Sequence, residues 1–156
     1  MTDDTRQDYI LRITQANSTA LVVILYDMFL DYGREVLEAE PGSDEFRTAI
    51  RHTRGCLSEL INSLHMEQEA AKDLYSIYRF VERRLIMADI RRTTEELPRC
   101  MEMIRKLRDA YAESVKDDHS APLMQNTDIV YAGMTYGPGE INLSGASAGT
   151  NRGYLV

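Results

Sequence analysis

The stretch at residues 74–90 reads LYSIYRFVERRLIMADI and decides the fold class of this chain. Its aliphatic residues recur every three or four positions, which is the spacing that gathers side chains on one face of an α-helix. No group in the stretch is suited to catalysis. We expect Tyr75 and Tyr78 to lean away from the core toward a surface groove. The predicted core stripe is Ala70, Leu74, Ile77, Val81, Leu85 and Ala88.

Three other segments also show helical periodicity, and none shows the sustained alternation that is typical of a β-strand. The first begins near Asn17 or Ser18, either of which can cap a helix, and it stops before Pro41. The second runs from residue 43 or 44 to about residue 65. The predicted core residues are Val22, Leu25, Phe29, Tyr32, Val36 and Ala39 in the first, and Phe46, Ile50, Thr53, Leu57, Leu60 and Leu64 in the second.

The last helical segment has two candidate starting points. Thr93 and Glu96 have the spacing of a capping box, which would begin the helix at Thr93. Pro98 would then lie past the first turn and remove a backbone hydrogen bond, so a later start or a kink is the alternative. The predicted core residues of this helix are Leu97, Met101, Ile104, Leu107 and Tyr111.

Linkers of about two to six residues join these segments, so sequential helices are expected to pack antiparallel. The fold class is therefore predicted to be all-α, an antiparallel up-down four-helix bundle. Before the bundle, a short segment at residues 9–13 contains Tyr9, Ile10 and Ile13. It is predicted to form one or two helical turns that dock on the bundle, because it is too short to be stable alone. We assign residues 1–117 to this domain.

The composition changes after residue 117, since six of the nine glycines follow it. Glycine disfavours a long helix, so residues 118–156 are predicted to form an extended or partly disordered tail. This tail nevertheless contains the apolar and aromatic stretches IVYAGMTYG at residues 129–137 and RGYLV at residues 152–156. Two interpretations stay open, namely partial docking on the bundle in extended form, or disorder.

The overall composition is that of a soluble globular protein, with 44% hydrophobic and 28% charged residues. A formal charge of -7 disfavours binding to nucleic acid or to an anionic membrane, because both need clustered Lys and Arg. The N-terminus lacks the apolar region of a secretory signal, and no apolar run is long enough for membrane insertion. Cys56 and Cys100 lack CxxC spacing and are predicted to be small core residues of a reducing compartment. The expected location is cytoplasmic.

The sequence contains no recognisable catalytic or cofactor motif. A di-iron site in a four-helix bundle would need two ExxH pairs, and none occurs. His52, His65 and His119 lack the spacing of metal ligands, and no GxSxG, Walker A or dinucleotide-binding motif is present. We therefore expect no metal, no cofactor and no enzymatic activity.

The first long helix has more apolar surface than one core face requires. Leu21, Ile24 and Met28 form a second face, rotated away from the stripe that contains Leu25 and Phe29. Neighbouring bundle helices could cover both faces, which is one interpretation. The other is that part of this surface is kept for a second polypeptide. The eight methionines of the chain would suit a surface that adapts to a flexible ligand, although scattered core methionines would explain them too.

Several stretches in series resemble the FliS family of flagellar export chaperones. They are Tyr9 with ITQANS at residues 13–18 and ALVVILYD at residues 20–27, then LSELINSLHME at 57–67, LYSIYRFVERRLIMADI at 74–90 and LRDAY at 107–111. Their order and spacing are similar to those of the family across roughly residues 9–116. The chain departs from the family pattern at Ser18, Met28 and Tyr111, where the family usually has Pro, often has Gly and often has Trp, respectively.

The resemblance implies a cytoplasmic chaperone that binds the disordered C-terminal segment of flagellin, prevents early polymerisation and aids delivery to the flagellar type III export apparatus. The client would lay apolar side chains into grooves between helices. In the family the N-terminal segment is thought to cover part of the groove, so residues 9–13 would form a removable lid. The partner-binding residues predicted on this basis are Tyr9, Ile10, Ile13, Leu21, Ile24, Leu25, Met28, Tyr75, Tyr78, Leu107 and Tyr111.

Two further hypotheses stay open. The chain could instead be a self-associating structural or regulatory bundle that buries its extra apolar face against a second copy, whereas the chaperone is expected to be a monomer or a weak homodimer. Within the chaperone interpretation, the aromatic tail would lie along the same bundle and compete with the client.

Overall fold

The computed structural model describes residues 1–124, and this part of the chain consists of five α-helices without any β-strand. The helices are α1 (Asp3–Gln15), α2 (Ser18–Glu38), α3 (Asp44–Asn62), α4 (Glu69–Arg91) and α5 (Leu97–Val115). The expectation of an all-α fold is confirmed. The stretches IVYAGMTYG and RGYLV, about which the tail predictions were made, lie outside the described residues.

Helix α2 is at the centre of the arrangement. It packs closely along α3 on one side and along α5 on the other, while α4 packs on α3 and more sparsely on α5. Each of α2 to α5 therefore has two neighbours, and the linkers of two to six residues between sequential helices make them antiparallel. This is the predicted up-down four-helix bundle. Helix α1 packs on α2 outside the bundle.

Side-chain caps fix three of the helix starts. Asn17 and Ser43, two of the predicted candidates, each accept a hydrogen bond from the backbone N–H three residues later. Thr2 caps α1 in the same way, and Asp3 and Asp4 follow it in the first turn, where negative charge is favourable. Helix α1 consequently has thirteen residues, whereas the sequence predicted only one or two turns.

Helix α5 begins at the later of its two candidate starts. It starts at Leu97, which places Pro98 in the first turn, where no backbone N–H donor is needed. Thr93 does not form the capping box, because its hydroxyl oxygen accepts a hydrogen bond from the N–H of Glu95 within the preceding linker. The proline therefore begins the helix without kinking it.

Nineteen buried residues from α2 to α5 form one apolar cluster, which we call the main core. Its members are Leu25, Tyr26, Phe29, Leu30, Val36, Phe46, Ala49, Ile50, Cys56, Leu57, Leu60, Tyr78, Val81, Leu85, Ala88, Leu97, Cys100, Met101 and Ile104. Of the core residues predicted for α3, Phe46, Ile50, Leu57 and Leu60 belong to this set and Thr53 is also buried, whereas Leu64 lies beyond the end of α3 and is only partly buried. The predicted burial of Leu97, Met101 and Ile104 in α5 and of both cysteines is confirmed.

The buried stripe of α4 differs from the predicted one. Ala70 is exposed and Ala71 is buried, while Tyr78 occupies the core position that was assigned to Ile77. Tyr78 can be buried because its hydroxyl shares a hydrogen bond with the hydroxyl of Tyr26. A pattern that scores aliphatic residues above tyrosine cannot anticipate this pairing, because the partner lies on another helix.

Candidate partner-binding surface

The second apolar face of α2 is covered by α1. Tyr9, Ala16 and Ile24 are buried together in a small cluster, separate from the main core, which we call the cover cluster. The partly buried residues that pack against it are Met1, Ile13, Ala20, Leu21 and Met28. The second face predicted from the sequence, Leu21, Ile24 and Met28, therefore lies beneath α1, which α2 contacts in addition to α3 and α5.

Polar contacts at the rim also fasten α1 to α2. The hydroxyl of Tyr9 donates a hydrogen bond to Asp31 at 2.5 Å, and the guanidinium of Arg12 donates one to Asp27 at 2.8 Å. The same guanidinium lies over the Tyr9 ring, 5.2 Å from its centroid. Burial and the hydrogen bond to Asp31 raise the pKa of Tyr9, so its hydroxyl remains a donor at neutral pH.

Each of the two carboxylates that hold α1 has a second partner outside α1. Asp27 accepts from Arg12 through one oxygen and from Arg108 of α5 through the other, both at 2.8 Å. Asp31 likewise accepts from Tyr9 through one oxygen and pairs with Arg34 through the other. The hydrogen bond to Asp27 raises the pKa of Arg108. The two carboxylates thus join α1 to the bundle, and each also has a cationic partner that does not belong to α1.

An open cleft of about 310 Å³ lies where α1, α2 and α5 meet. Apolar residues of α2, α5 and the α1–α2 linker line most of it, and Arg12 and Gln15 of α1 are its polar residues. The lining residues are Arg12, Gln15, Ala16, Ala20, Val23, Ile24, Ala112 and Val115. Because Ala16 and Ile24 belong to the cover cluster, the cleft continues the apolar surface beneath α1 toward the end of α5.

Three tyrosines meet at the junction of α2, α4 and α5. The Tyr26 ring lies 6.3 Å from the Tyr78 ring and 5.8 Å from the Tyr111 ring, measured between centroids. Tyr26 and Tyr78 are fully buried, whereas Tyr111 is partly buried at the edge of the main core. Burial raises the pKa of Tyr78 to about 12, which keeps its hydroxyl neutral and hydrogen-bonded.

The structure divides the eleven predicted partner-binding residues among several environments. The cover cluster and its surroundings bring together Tyr9, Ile13, Leu21, Ile24 and Met28. Leu25 and Tyr78 are buried in the main core, and Leu107 and Tyr111 pack partly buried against it. Ile10 is half-buried, and Tyr75 is 39% exposed.

Sequence reasoning missed the polar half of this surface. Arg12 and Asp27 form an ion pair across 15 positions, so no local pattern links them. Ala16, which is 4% exposed, was overlooked because a lone alanine between helices carries no apolar signal. The sequence feature that came closest to indicating these polar contacts was Asp27. It interrupts an otherwise apolar run, and a partly buried carboxylate requires a polar partner.

Metal-binding clusters and reactive thiols were sought among the described residues. Within residues 1–124, no group of three or more His, Cys, Asp or Glu side chains is placed to hold a metal ion. Cys56 and Cys100 are buried, and burial raises the pKa of both thiols, which leaves them poor nucleophiles. None of the five helices is both long enough and apolar enough to cross a membrane.

Comparison with protein-family models gives a match over most of the chain. A family model described as "Flagellar protein FliS" matches residues 1–118, which include all five helices and reach Asp118. A search of curated proteins found no match to the chain.

Proposed function

Because the chain belongs to the FliS family of flagellar proteins, we propose that it is a cytoplasmic chaperone for the C-terminal segment of flagellin. Binding would prevent early polymerisation of the client and would present it to the flagellar type III export apparatus. The observation that carries this proposal is the apolar face of α2, which is covered by a single short helix at the N-terminus of the chain.

The size of the cover cluster supports an exchangeable cover. The cover cluster has three buried residues, Tyr9 of α1, Ala16 of the linker and Ile24 of α2, compared with nineteen in the main core. A thirteen-residue helix is marginal on its own in water, so its helical state depends on this docking. An amphipathic helix of the client could take the place of α1 on the same face, which is a recurring way for proteins to bind peptides.

The predicted partner-binding residues would then have different roles. Leu21, Ile24 and Met28 would receive the apolar side chains of the client after α1 leaves. Tyr9, Ile10 and Ile13 would belong to the removable lid, and Tyr75, Leu107 and Tyr111 would extend the surface along the bundle. Leu25 and Tyr78 lie in the main core, so a direct role for either one would require the bundle itself to rearrange.

The first test is a calorimetric titration of the full chain with a synthetic peptide of the C-terminal segment of flagellin from the same organism. We expect one-to-one binding with a negative heat-capacity change, because apolar surface is buried as the peptide folds. Absence of binding at every temperature, supported by a failed pull-down with full-length flagellin, would contradict the proposal. Light scattering that shows a stable dimer without client would then favour the self-associating bundle.

A matched pair of variants on α2 locates the binding surface. Leu21 lies beneath α1 and Leu37 is 41% exposed on the same helix away from the cover cluster, so Leu21→Lys and Leu37→Lys introduce the same charge at two faces. We expect Leu21→Lys to weaken peptide binding by at least about tenfold, because it places a charge in the apolar interface. Equal affinities of the two variants would exclude this face.

A further inference from the structure

The chain beyond α5 returns to the linker between α1 and α2. The N–H of Leu123 donates a hydrogen bond to the carbonyl oxygen of Ala16 at 2.9 Å. The side-chain amide of Asn17 donates to the carbonyl oxygens of Asp118 at 3.2 Å and Ser120 at 3.3 Å. Three hydrogen bonds thus connect residues 118–124, which we call the latch, to a two-residue linker.

The latch is also bound to the first turn of α2. The carboxylate of Asp118 accepts a hydrogen bond from the hydroxyl of Thr19 at 2.5 Å, and its other oxygen accepts from the N–H and hydroxyl of Ser120. These hydrogen bonds lower the pKa of Asp118 to about 2, the contacts with Ser120 contributing most. The carboxylate is therefore ionised at neutral pH, beside the positive end of the α2 dipole.

The position of Ala16 connects the latch to the cover. Ala16 is the C-cap residue of α1, it is 4% exposed, and it belongs to the cover cluster. Only Ala16 and Asn17 lie between α1 and α2, so a displacement of α1 has to turn at or next to Ala16. The hydrogen bond from Leu123 therefore restrains the residue about which α1 would have to rotate.

We propose that the latch is an intramolecular strap that holds α1 on α2 and so regulates access to the apolar face beneath α1. Displacing α1 requires the Leu123–Ala16 hydrogen bond to break, and releasing the latch lowers the free energy needed to displace α1. The two events are coupled in both directions, as linked equilibria must be. The effect on a flagellin client rests on the function proposed above, whereas the coupling of latch and α1 does not.

Two pairs of full-length variants test the coupling. Leu123→Pro removes the N–H donor, and Leu123→Ala is its control, since it keeps the N–H and trims a side chain that is 56% exposed. Thr19→Val removes the hydroxyl donor at nearly constant shape, and Thr19→Ser is its control. Asn17 is not a suitable target, because its side-chain oxygen also caps α2.

The readout is amide hydrogen exchange in α1, with the amides of α3 as the internal reference. Losing one hydrogen bond of ordinary strength predicts exchange on the order of two- to tenfold faster in α1 for Leu123→Pro and Thr19→Val. The control variants and the α3 amides should remain unchanged. Unchanged α1 exchange in both test variants would overturn the proposal, as would equal acceleration in α1 and α3, which would show general destabilisation.

A second readout separates the latch from the proposed function. The flagellin C-terminal peptide should bind Leu123→Pro more tightly than Leu123→Ala, because less free energy is then needed to displace α1. If the amides of α1 exchange faster in the test variants and the peptide binds neither the variants nor the parent chain, the coupling of latch and α1 is supported and the flagellin proposal is contradicted. If the peptide binds all forms with one affinity while α1 exchange rises, the regulatory role of the latch is overturned.

Discussion

The main core and the cover cluster share helix α2 but are built in different ways. The main core combines nineteen buried residues from four helices, whereas the cover cluster buries three residues and adds polar contacts at its rim. Deep apolar burial stabilises the first, while the second depends on a few contacts of modest individual strength. The difference teaches that one helix can present a deeply buried face and a lightly covered face at the same time.

The largest expected effect comes from truncating the main core. Leu57 is fully buried in α3, so Leu57→Ala should lower the free energy of unfolding by about 2–5 kcal/mol. Leu37→Ala is the control, because this exposed position should change the same quantity by less than about 0.5 kcal/mol. Both are measured by urea denaturation followed by circular dichroism. If Leu57→Ala lowered the free energy of unfolding no more than the control does, the main core would not be the more stable of the two clusters.

A smaller loss is expected when the buried tyrosine pair is broken. Tyr78→Phe leaves the Tyr26 hydroxyl buried without its partner, which should lower the free energy of unfolding by about 1–3 kcal/mol. Removing both hydroxyls with Tyr26→Phe and Tyr78→Phe should recover part of this loss, since no buried polar group is then left unpaired. Tyr75→Phe, at an exposed site, should be close to neutral. A double variant less stable than Tyr78→Phe would argue against a buried hydrogen bond.

Alkaline pH should destabilise the main core, because it favours deprotonation of the buried tyrosine pair. Burial raises the pKa of Tyr78 from 10.0 to about 12. A raised pKa means that the folded state favours the neutral form of Tyr78. The stability that this group contributes is therefore complete below pH 10 and is lost as pH rises through about 12. At pH 11 the loss for this group should be on the order of 1 kcal/mol, measured by denaturation at a series of pH values. Tyr78→Phe should show a shallower decline.

The cover should respond to the loss of one hydroxyl while the main core does not. Tyr9→Phe removes the hydrogen bond to Asp31 and should weaken the docking of α1 by about 0.5–1.5 kcal/mol. The expected result is up to about tenfold faster amide exchange in α1, with unchanged exchange in α3. Equal acceleration in both helices would mean that α1 and the bundle unfold as one unit.

The smallest expected effect concerns the two thiols. Cys56 and Cys100 lie in the main core, and burial raises the pKa of Cys56 to about 12. Alkylation by iodoacetamide should therefore be slow in the parent chain, equally slow in Tyr9→Phe, and faster in Leu57→Ala. Faster labelling in Tyr9→Phe would contradict the separation of the cover cluster from the main core.

The sequence predicted most of the bundle because its signals are local. Helical periodicity, the caps Asn17 and Ser43, and the break at Pro41 all act within a few residues of one another. Helix α1 is longer than predicted because its first half is polar and lacks apolar periodicity. Its extent depends on the Thr2 cap and on contacts with α2.

The candidate surface was predictable only in its apolar part. Two apolar faces on α2 can be read from residue spacing, but spacing alone does not say which element covers the second face, and a lid at residues 9–13 was implied only by the family resemblance. The pair of Arg12 with Asp27 and the contact of Asn17 with Asp118 span 15 and 101 positions, respectively. Interactions over such separations follow from the packing of helices, which no single segment encodes.

The shared carboxylates of α2 have a consequence for the choice of client. Under the proposed displacement of α1, Asp27 would keep Arg108 and Asp31 would keep Arg34. Removing the sole partner of a buried charge typically costs about 3–5 kcal/mol, and these second partners avoid that penalty. An incoming polypeptide consequently needs no arginine or tyrosine to replace those of α1. Selectivity at this face would then come from the size and spacing of apolar side chains, which sequences without any common charge pattern can satisfy.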